Sequence, residues 1–261
     1  MGQLRGKKVV VTGASRGIGS AIAQAFLEEG AEVIGVARGT APDGDWAAHP
    51  RLHWQYADLS SAPEVARLFD AAKARWGGLD VLINNAGAQL AKSVEDCSEE
   101  DFTMLSDVNM RGVFLCCAQA LPLMRAAGGG AIVNIGSIAG ITPDYGLPLY
   151  SASKAWVHGF TKALAIEHGH EGIRCNALAP TWTRTELSVE LFQEEADPAY
   201  AENATNRRHP MGRMAEPEDI ARAAVYLAGA GAGFVNGQIL AVDGGLGAAS
   251  QINPALDFQL G

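Results

Sequence analysis

Two hydrophobic patterns alternate along the chain. Short runs of consecutive Val, Ile and Leu recur, and between them lie longer stretches with apolar residues at helical spacing. Residues 8–11, 32–36, 53–56, 81–83, 131–135, 174–178 and 238–242 read as strands. Residues 18–29, 63–76, 101–127, 149–167 and 216–228 read as helices, the first stopped by Gly30 and the last started by Glu216-Pro217. Continuous apolar strands are buried on both faces. Strands separated by helices imply right-handed βαβ crossovers and a parallel sheet. The pattern therefore predicts an α/β fold in one domain spanning 1–261: a doubly wound parallel sheet of about seven strands with helices on both faces.

Two segments break the alternation. Residues 38–51 are rich in Gly, Pro and Asp, so the helix due between the second and third strands is shortened or lost. Residues 185–214 are polar and long, which suits either a disordered loop or an active-site lid. We read them as a substrate lid.

Composition narrows the class. Of 261 residues, 48% are hydrophobic and 19% charged, enough for a large core. A formal net charge of −9 argues against a nucleic-acid surface and gives no sign of membrane attraction. No apolar run is long enough to span a bilayer, and no signal-peptide core precedes the first strand, so a cytoplasmic protein is the default expectation. Cys116 and Cys117 lie in an apolar stretch and read as core; no Cys/His cluster has zinc spacing, so no metal is expected.

The segment Thr12-Gly13-Ala14-Ser15-Arg16-Gly17-Ile18-Gly19 joins the first strand to the first helix. Glycine permits a sharp turn and close approach of a phosphate. The free N–H groups and partial positive charge of a helix N-terminus favour a pyrophosphate. The strand–turn–helix context makes this a nucleotide cradle rather than an ordinary turn. Farther on, Tyr150 and Lys154 stand four residues apart, on one face if the segment is helical. A free phenol titrates near ~10, and a nearby ammonium makes it a more usable general acid or base. Ser137 adds a hydroxyl upstream.

With Asp58-Leu59, Asn84-Asn85-Ala86-Gly87, Asn109, Pro180 to Thr185 and Val242-Asp243-Gly244-Gly245 in order, the chain resembles the short-chain dehydrogenase/reductase family in its single-domain form, from Lys8 to Gly245. Its glycine spacing is Gly-x-x-x-Gly-x-Gly, unlike the Gly-x-Gly-x-x-Gly of many other dehydrogenases. The resemblance implies a Rossmann fold and an NAD(P)-dependent oxidoreductase that interconverts a secondary alcohol and its ketone by hydride transfer. It makes Tyr150 the general acid/base. Ser137 would hold the substrate oxygen, and Lys154 would bind the nicotinamide ribose and lower the tyrosine pKa. Asn109 would hold a water linking Lys154 to solvent. Ser137 also reads as a cap after the fifth strand, and Asn109 as a residue bonding its own helix backbone.

The implied cofactor set is Gly13, Ser15, Arg16, Gly17, Ile18 and Gly19 at the cradle, Arg38, Asp58 and Leu59 toward the adenosine, Asn85, Ala86 and Gly87 near the nicotinamide ribose, with Tyr150, Lys154 and Pro180. Thr183 and Thr185 would hold the carboxamide. Asn84 and Asn85 also suit turn chemistry. Ala37 occupies the place where NAD-preferring relatives carry Asp, and Arg38 and Arg16 flank it. Two guanidiniums can clamp a 2′-phosphate, so NADP(H) is favoured over NAD(H), with solvated surface arginines as the alternative.

Thr181 replaces the glycine that relatives carry after the proline. For substrate, the implied contacts are Gln89, Ser137, Tyr145, Tyr150 and Trp182, with Leu90, Ile138, Leu147 and the segment after Thr185 as further walls. They suit a sugar or polyol as well as a ring ketone, and Trp182 either shapes the pocket or packs in the core. The basic run at Asn203, Arg207, Arg208 and His209 reads first as a solvated face and second as a site for an anionic substrate. A homotetramer is the family habit, and the tail 247–261, with Ile252, Leu256, Phe258 and Leu260, is expected at a subunit interface. The alternative function is a dinucleotide-binding sensor or regulatory protein with little turnover. A nucleotide-sugar epimerase or dehydratase fits worse, because those relatives have other glycine spacing and longer chains.

Overall fold

The computed structural model describes residues 2–42 and 45–248. Seven strands form one sheet: β1 (Lys8–Thr12), β2 (Glu32–Ala37), β3 (Leu52–Tyr56), β4 (Val81–Asn84), β5 (Gly130–Ile135), β6 (Ile173–Pro180) and β7 (Ile239–Val242). Their order is β3-β2-β1-β4-β5-β6-β7, and every pairing is parallel. The helices are α1 (Gly17–Glu28), α2 (Ala62–Trp76), α3 (Glu99–Ser106), α4 (Gly112–Ala126), α5 (Pro148–His168), α6 (Glu186–Gln193), α7 (Pro198–Arg207) and α8 (Pro217–Ala228). This is the doubly wound arrangement the hydrophobic pattern predicts.

Successive strand residues point to opposite faces, so β1 feeds two cores. Val9 and Val11 join Ile22 and Phe26 of α1 and Ile220 and Leu227 of α8 on one side. Val10 joins Leu68 and Phe69 of α2, Val113 and Cys116 of α4 and Leu164 of α5 on the other. Cys116, Cys117 and Cys175 belong to this second core, where burial pushes the Cys117 thiol up to about 12 and the other two in the same direction. They are structural thiols, far from the thiolate state that redox or metal chemistry needs.

Three segments depart from the simplest reading. Among the described residues of 38–51, a 3₁₀ turn, Asp45–Ala48, stands in place of a full helix, as their composition predicts. The long helical region expected over 101–127 is helical throughout, as α3 and α4 joined by a π-helical turn at Asp107–Arg111. Hydrophobic periodicity cannot register one inserted residue, because apolar positions resume on nearly the same face. Residues 185–214 form the short helices α6 and α7, each started by a side-chain cap from Thr185 and Asp197. Residues 249–261, with the apolar tail residues, lie outside the described residues.

The sheet order fixes where a ligand can sit. The chain leaves β1 toward β2 and β3, then returns to β4 on the other side of β1. At such a switch point the crossovers diverge and leave a crevice at the carboxyl ends of the strands.

Candidate active site

A cleft of about 1320 Å³ opens at those carboxyl ends. Ordinary small-ligand pockets run to about 1,000 Å³, so this one has room for a dinucleotide and a second molecule. The loop after β1 forms its floor at one end. Gly13 and Gly17 take φ of +64° and +54°, which side chains rarely adopt. A Cβ on Gly19 would lie 2.1 Å from the Gly13 carbonyl oxygen, and one on Gly13 would lie 2.8 Å from Nδ2 of Asn85. The glycines thus bring bare backbone to the cleft, and α1 begins there without a side-chain cap. Uncapped N–H donors at a helix N-terminus fit a pyrophosphate.

Thr12 and Asn85 tie this loop to the end of β4. The Thr12 hydroxyl donates to the Ile83 carbonyl (3.2 Å) and accepts from the amides of Asn85 (3.0 Å) and Ala86 (3.1 Å). The Asn85 amide donates to the carbonyls of Thr12 and Gly13 at 3.0 and 3.1 Å. Asn84 turns the other way and donates to Asn134 Oδ1 at 2.8 Å within the core. Of the two asparagines, only Asn85 lines the cleft.

Arg16, Arg38, Asp58 and Leu59 line the same end. Asp58 accepts from the Ser60 amide and hydroxyl at 3.0 and 2.8 Å; these bonds, with a smaller contribution from Arg38, hold its carboxyl below the usual range. Arg16 and Arg38 are exposed, and neither forms an ion pair among the described residues.

At the other end, Tyr150, Lys154 and Ser137 come together. Pro148 starts α5, and the helix puts Tyr150 and Lys154 on one face, with the Lys154 ammonium 5.8 Å from the Tyr150 ring centre. The ammonium is buried and donates to the Ile135 carbonyl at the end of β5 (2.9 Å). Burial lowers its pKa to about 8. Burial also raises the Tyr150 phenol, and the Ser137 hydroxyl bonded to it pulls the other way. The ammonium that the resemblance sets beside the phenol lies 5.8 Å from the ring centre while it donates to the Ile135 carbonyl. Ser137 also accepts from the Ala139 amide at 3.1 Å, so its capping and site roles coexist.

Asn109 sits in the π turn, buried, and does not bond its own helix backbone. Its Oδ1 accepts from the Ala88 amide (2.8 Å), and its Nδ2 donates to the Ala88 carbonyl (2.9 Å) and the Ser153 hydroxyl (3.0 Å). It stands beside Gly87, whose missing side chain would meet Asn109 Oδ1 at 3.3 Å and Lys154 Nζ at 3.4 Å.

Every cofactor residue named from the sequence lines the cleft, as do Gln89, Ser137 and Trp182. Tyr145 does not: it is fully exposed on the loop before α5 and outside the cleft lining. A loop tyrosine carries no periodicity from which its direction could be read. Trp182 fills both roles left open for it, lining the cleft and stacking on Phe192 of α6 at 5.9 Å. Thr185 caps α6 and abuts Gly17, setting the start of α6 against the cradle.

Some lining residues are expected only as part of the segment after Thr185, and others escape sequence reasoning. Thr142, Pro143 and Asp144 enter from the loop before α5, Leu187 and Leu191 from α6, and Leu246 and Gly247 from the end of the described chain. Asp144 meets Arg208 at 3.1 Å. The segment after Thr185 and the basic run at 207–208 are the sequence signals for that side.

Comparison with known proteins agrees with this geometry. Residues 13–247 match the family described as enoyl-(acyl carrier protein) reductase. The chain is 41% identical over 251 residues to 3beta-hydroxysteroid dehydrogenase 1 of Eggerthella lenta, covering 93% of this chain and 94% of the relative. It is 40% identical over 252 residues to the cis-4-hydroxycyclohexanecarboxylate dehydrogenase of Sinomonas cyclohexanicum, covering 94% and 98%. Among solved structures, one described as a short-chain dehydrogenase/reductase from Burkholderia xenovorans superposes with a TM-score of 0.90 at 33% identity, covering 96% of this chain and 100% of that one. ElxO, solved with NADP bound, superposes at 0.86 with 28% identity, covering 94% and 100%.

Proposed function

Because the chain belongs to the short-chain dehydrogenase/reductase family, we propose that it interconverts a secondary alcohol and its ketone, with NADP(H) as favoured cofactor and Tyr150 as general acid/base. The observation that carries this reading is the convergence of Tyr150, Ser137 and Lys154 at one end of a cleft whose other end is a glycine cradle.

When bound, the nicotinamide would give or take the hydride. The chain's own residues do the rest. The cradle and the α1 N-terminus hold the pyrophosphate. Arg16 and Arg38, flanking Ala37 where a carboxylate would repel a 2′-phosphate, support NADP(H). Ser137 orients the substrate oxygen toward the phenol. Tyr150, kept protonated by its burial, gives its proton to that oxygen in the reducing direction and takes one in the oxidising direction. Lys154, charged below pH about 8, stabilises the phenolate that this exchange leaves. Asn109 positions the loop at Ala88 and, through Ser153, the turn of α5 that carries the pair.

Residues 185–214 act as the lid, with α6 seated on the cradle through Thr185 and on Trp182 through Phe192. Exposed Phe114 of α4, 6.4 Å from Phe160 of α5, supports assembly into a homotetramer through those helices. The relatives named for turnover, and the presence of both Tyr150 and Lys154, disfavour the sensor alternative. Relatives are named for a hydroxysteroid, a hydroxycyclohexanecarboxylate and D-threitol; the apolar lining residues Ile138, Leu147 and Leu191 favour a ring alcohol, and Gln89 beside them supports a polyol as the second reading.

The test is cofactor-coupled turnover by the purified protein, with NADP and NAD in parallel, against 4-hydroxycyclohexanecarboxylate, its methyl ester, a 3-hydroxysteroid and a sugar alcohol. We expect oxidation of ring alcohols and a larger kcat/KM with NADP. Tight cofactor binding without turnover of any alcohol would restore the sensor reading.

A further inference from the structure

We propose that the substrate carries an anionic group, a carboxylate at the end of an apolar body remote from the reacting carbinol, and that Arg207 holds it. This names the substrate class of the site described above and rests on that reading.

The argument begins with the lid's charges. Four arginines lie between residues 184 and 213. Arg184 pairs with Glu202 and Glu216, Arg208 with Asp144, and Arg213 with Asp219. The Arg207 guanidinium alone of the four has no hydrogen bond or ion pair among the described residues, although α6 and its end carry Glu190, Glu194 and Glu195. It closes α7 and lines the cleft. A solvated charge run would leave all four alike. Here three are neutralised, and the fourth faces the site.

The rest of the substrate end gives Arg207 no counter-charge. Asp144 is committed to Arg208, so that pair contributes no net charge to the rim. Glu186, another carboxylate in the lining, lies against Gly17 at the cradle. The lining also carries an apolar set, Ile138, Leu147, Trp182, Leu187, Leu191 and Leu246, beside the neutral polar residues Gln89, Thr142, Thr181 and Ser188. A ligand that satisfies this surface has an oxygen at Tyr150 and Ser137, a hydrophobic middle, and a negative end at a guanidinium. The rim is cationic within a chain of net charge −9, so it would also steer anions against the field of the whole molecule. Guanidinium pairs with carboxylate in a bidentate fork, which selects a carboxylate over a hydroxyl of similar size.

The experiment compares kcat/KM for 4-hydroxycyclohexanecarboxylate and for its methyl ester, in the wild type and in Arg207→Ala and Arg207→Lys. The rim is solvent-facing, so a moderate effect is expected: an acid-over-ester preference of about tenfold in the wild type, matching one charge-assisted contact. Arg207→Ala should erase it mainly through KM, Arg207→Lys should keep part of it, and added salt should weaken it. An ester used as well as the acid, or a preference that survives Arg207→Ala, overturns the anion anchor while leaving the dehydrogenase reading intact. Absence of turnover with every alcohol overturns both. Melting temperatures of the variants close to the wild type exclude a folding cause.

Discussion

The Thr181 hydroxyl lies 2.8 Å from Nε2 of His209, a ring that is buried and whose Nδ1 donates to the Thr205 carbonyl at 2.9 Å. Nε2 is therefore the acceptor, and Thr181 the donor. The residue that departs from the family pattern thus ties the turn after α7 to the end of β6. Thr181→Val would leave Nε2 buried and unpaired, at a cost of about 1–3 kcal/mol. We expect a melting temperature lower by several degrees and faster proteolysis within 198–207. Unchanged melting and cleavage would remove the hydrogen bond from any role in holding the lid.

Tyr150→Phe removes the proposed proton donor and keeps the ring. The phenol's contribution as a general acid sets the expected loss at ~100-fold or more in kcat. Cofactor affinity, measured by fluorescence titration, should change far less. Near-normal turnover would rule out the assigned role.

His158 stands one turn after Lys154 on α5, buried, with Nε2 unpaired and close against Gly136. Burial lowers its pKa from 6.5 to about 4. Between those values the unfolded chain binds a proton that the folded ring does not, so acid favours unfolding. Stability should be whole above pH 6.5 and decline as pH falls toward 4, by at most about 3 kcal/mol from this residue. Denaturant titrations across that range should show a shallower pH slope in His158→Leu than in the wild type, and equal slopes would exclude His158 as the source.

Arg38 tests the cofactor preference. Arg38→Ala should lower the ratio of NADPH to NADH affinity by about tenfold, since a charge-assisted contact to the 2′-phosphate is lost. A ratio that stays at the wild-type value would mean that neither guanidinium geometry nor charge at this position reads the phosphate.

Lys154 adds a pH dependence to the chemistry. Its ammonium, with a pKa of about 8, loses its charge as pH rises through that value. The reductive rate in the cofactor-limited regime should therefore fall above pH 8, where the phenol loses its neighbouring cation. A rate that stays flat to pH 10 would detach Lys154 from the proton step.

Much of the molecule is legible without coordinates, for reasons that act over a few residues. Apolar runs and helical spacing set the strands and helices, since burial of a strand or a helix face depends on period. Gly13, Gly17 and Gly19 announce a backbone cradle because only glycine tolerates those turns and approaches. Tyr150 and Lys154 share a face because of the helical pitch.

What the tertiary structure alone decides are pairings between distant segments. Asp144 and Arg208 are separated by 64 residues, yet their contact leaves Arg207 as the unpaired one of the four arginines of 184–213 among the described residues. Thr181 finds His209 across the lid, and Asn109 finds Ala88 and Ser153 from within a π turn that periodicity smooths over. Tyr145 points to solvent although Tyr150, five residues later, points inward. Local sterics fix each element. The order of strands and the packing of crossovers fix which side chains meet, and no local pattern encodes those distances.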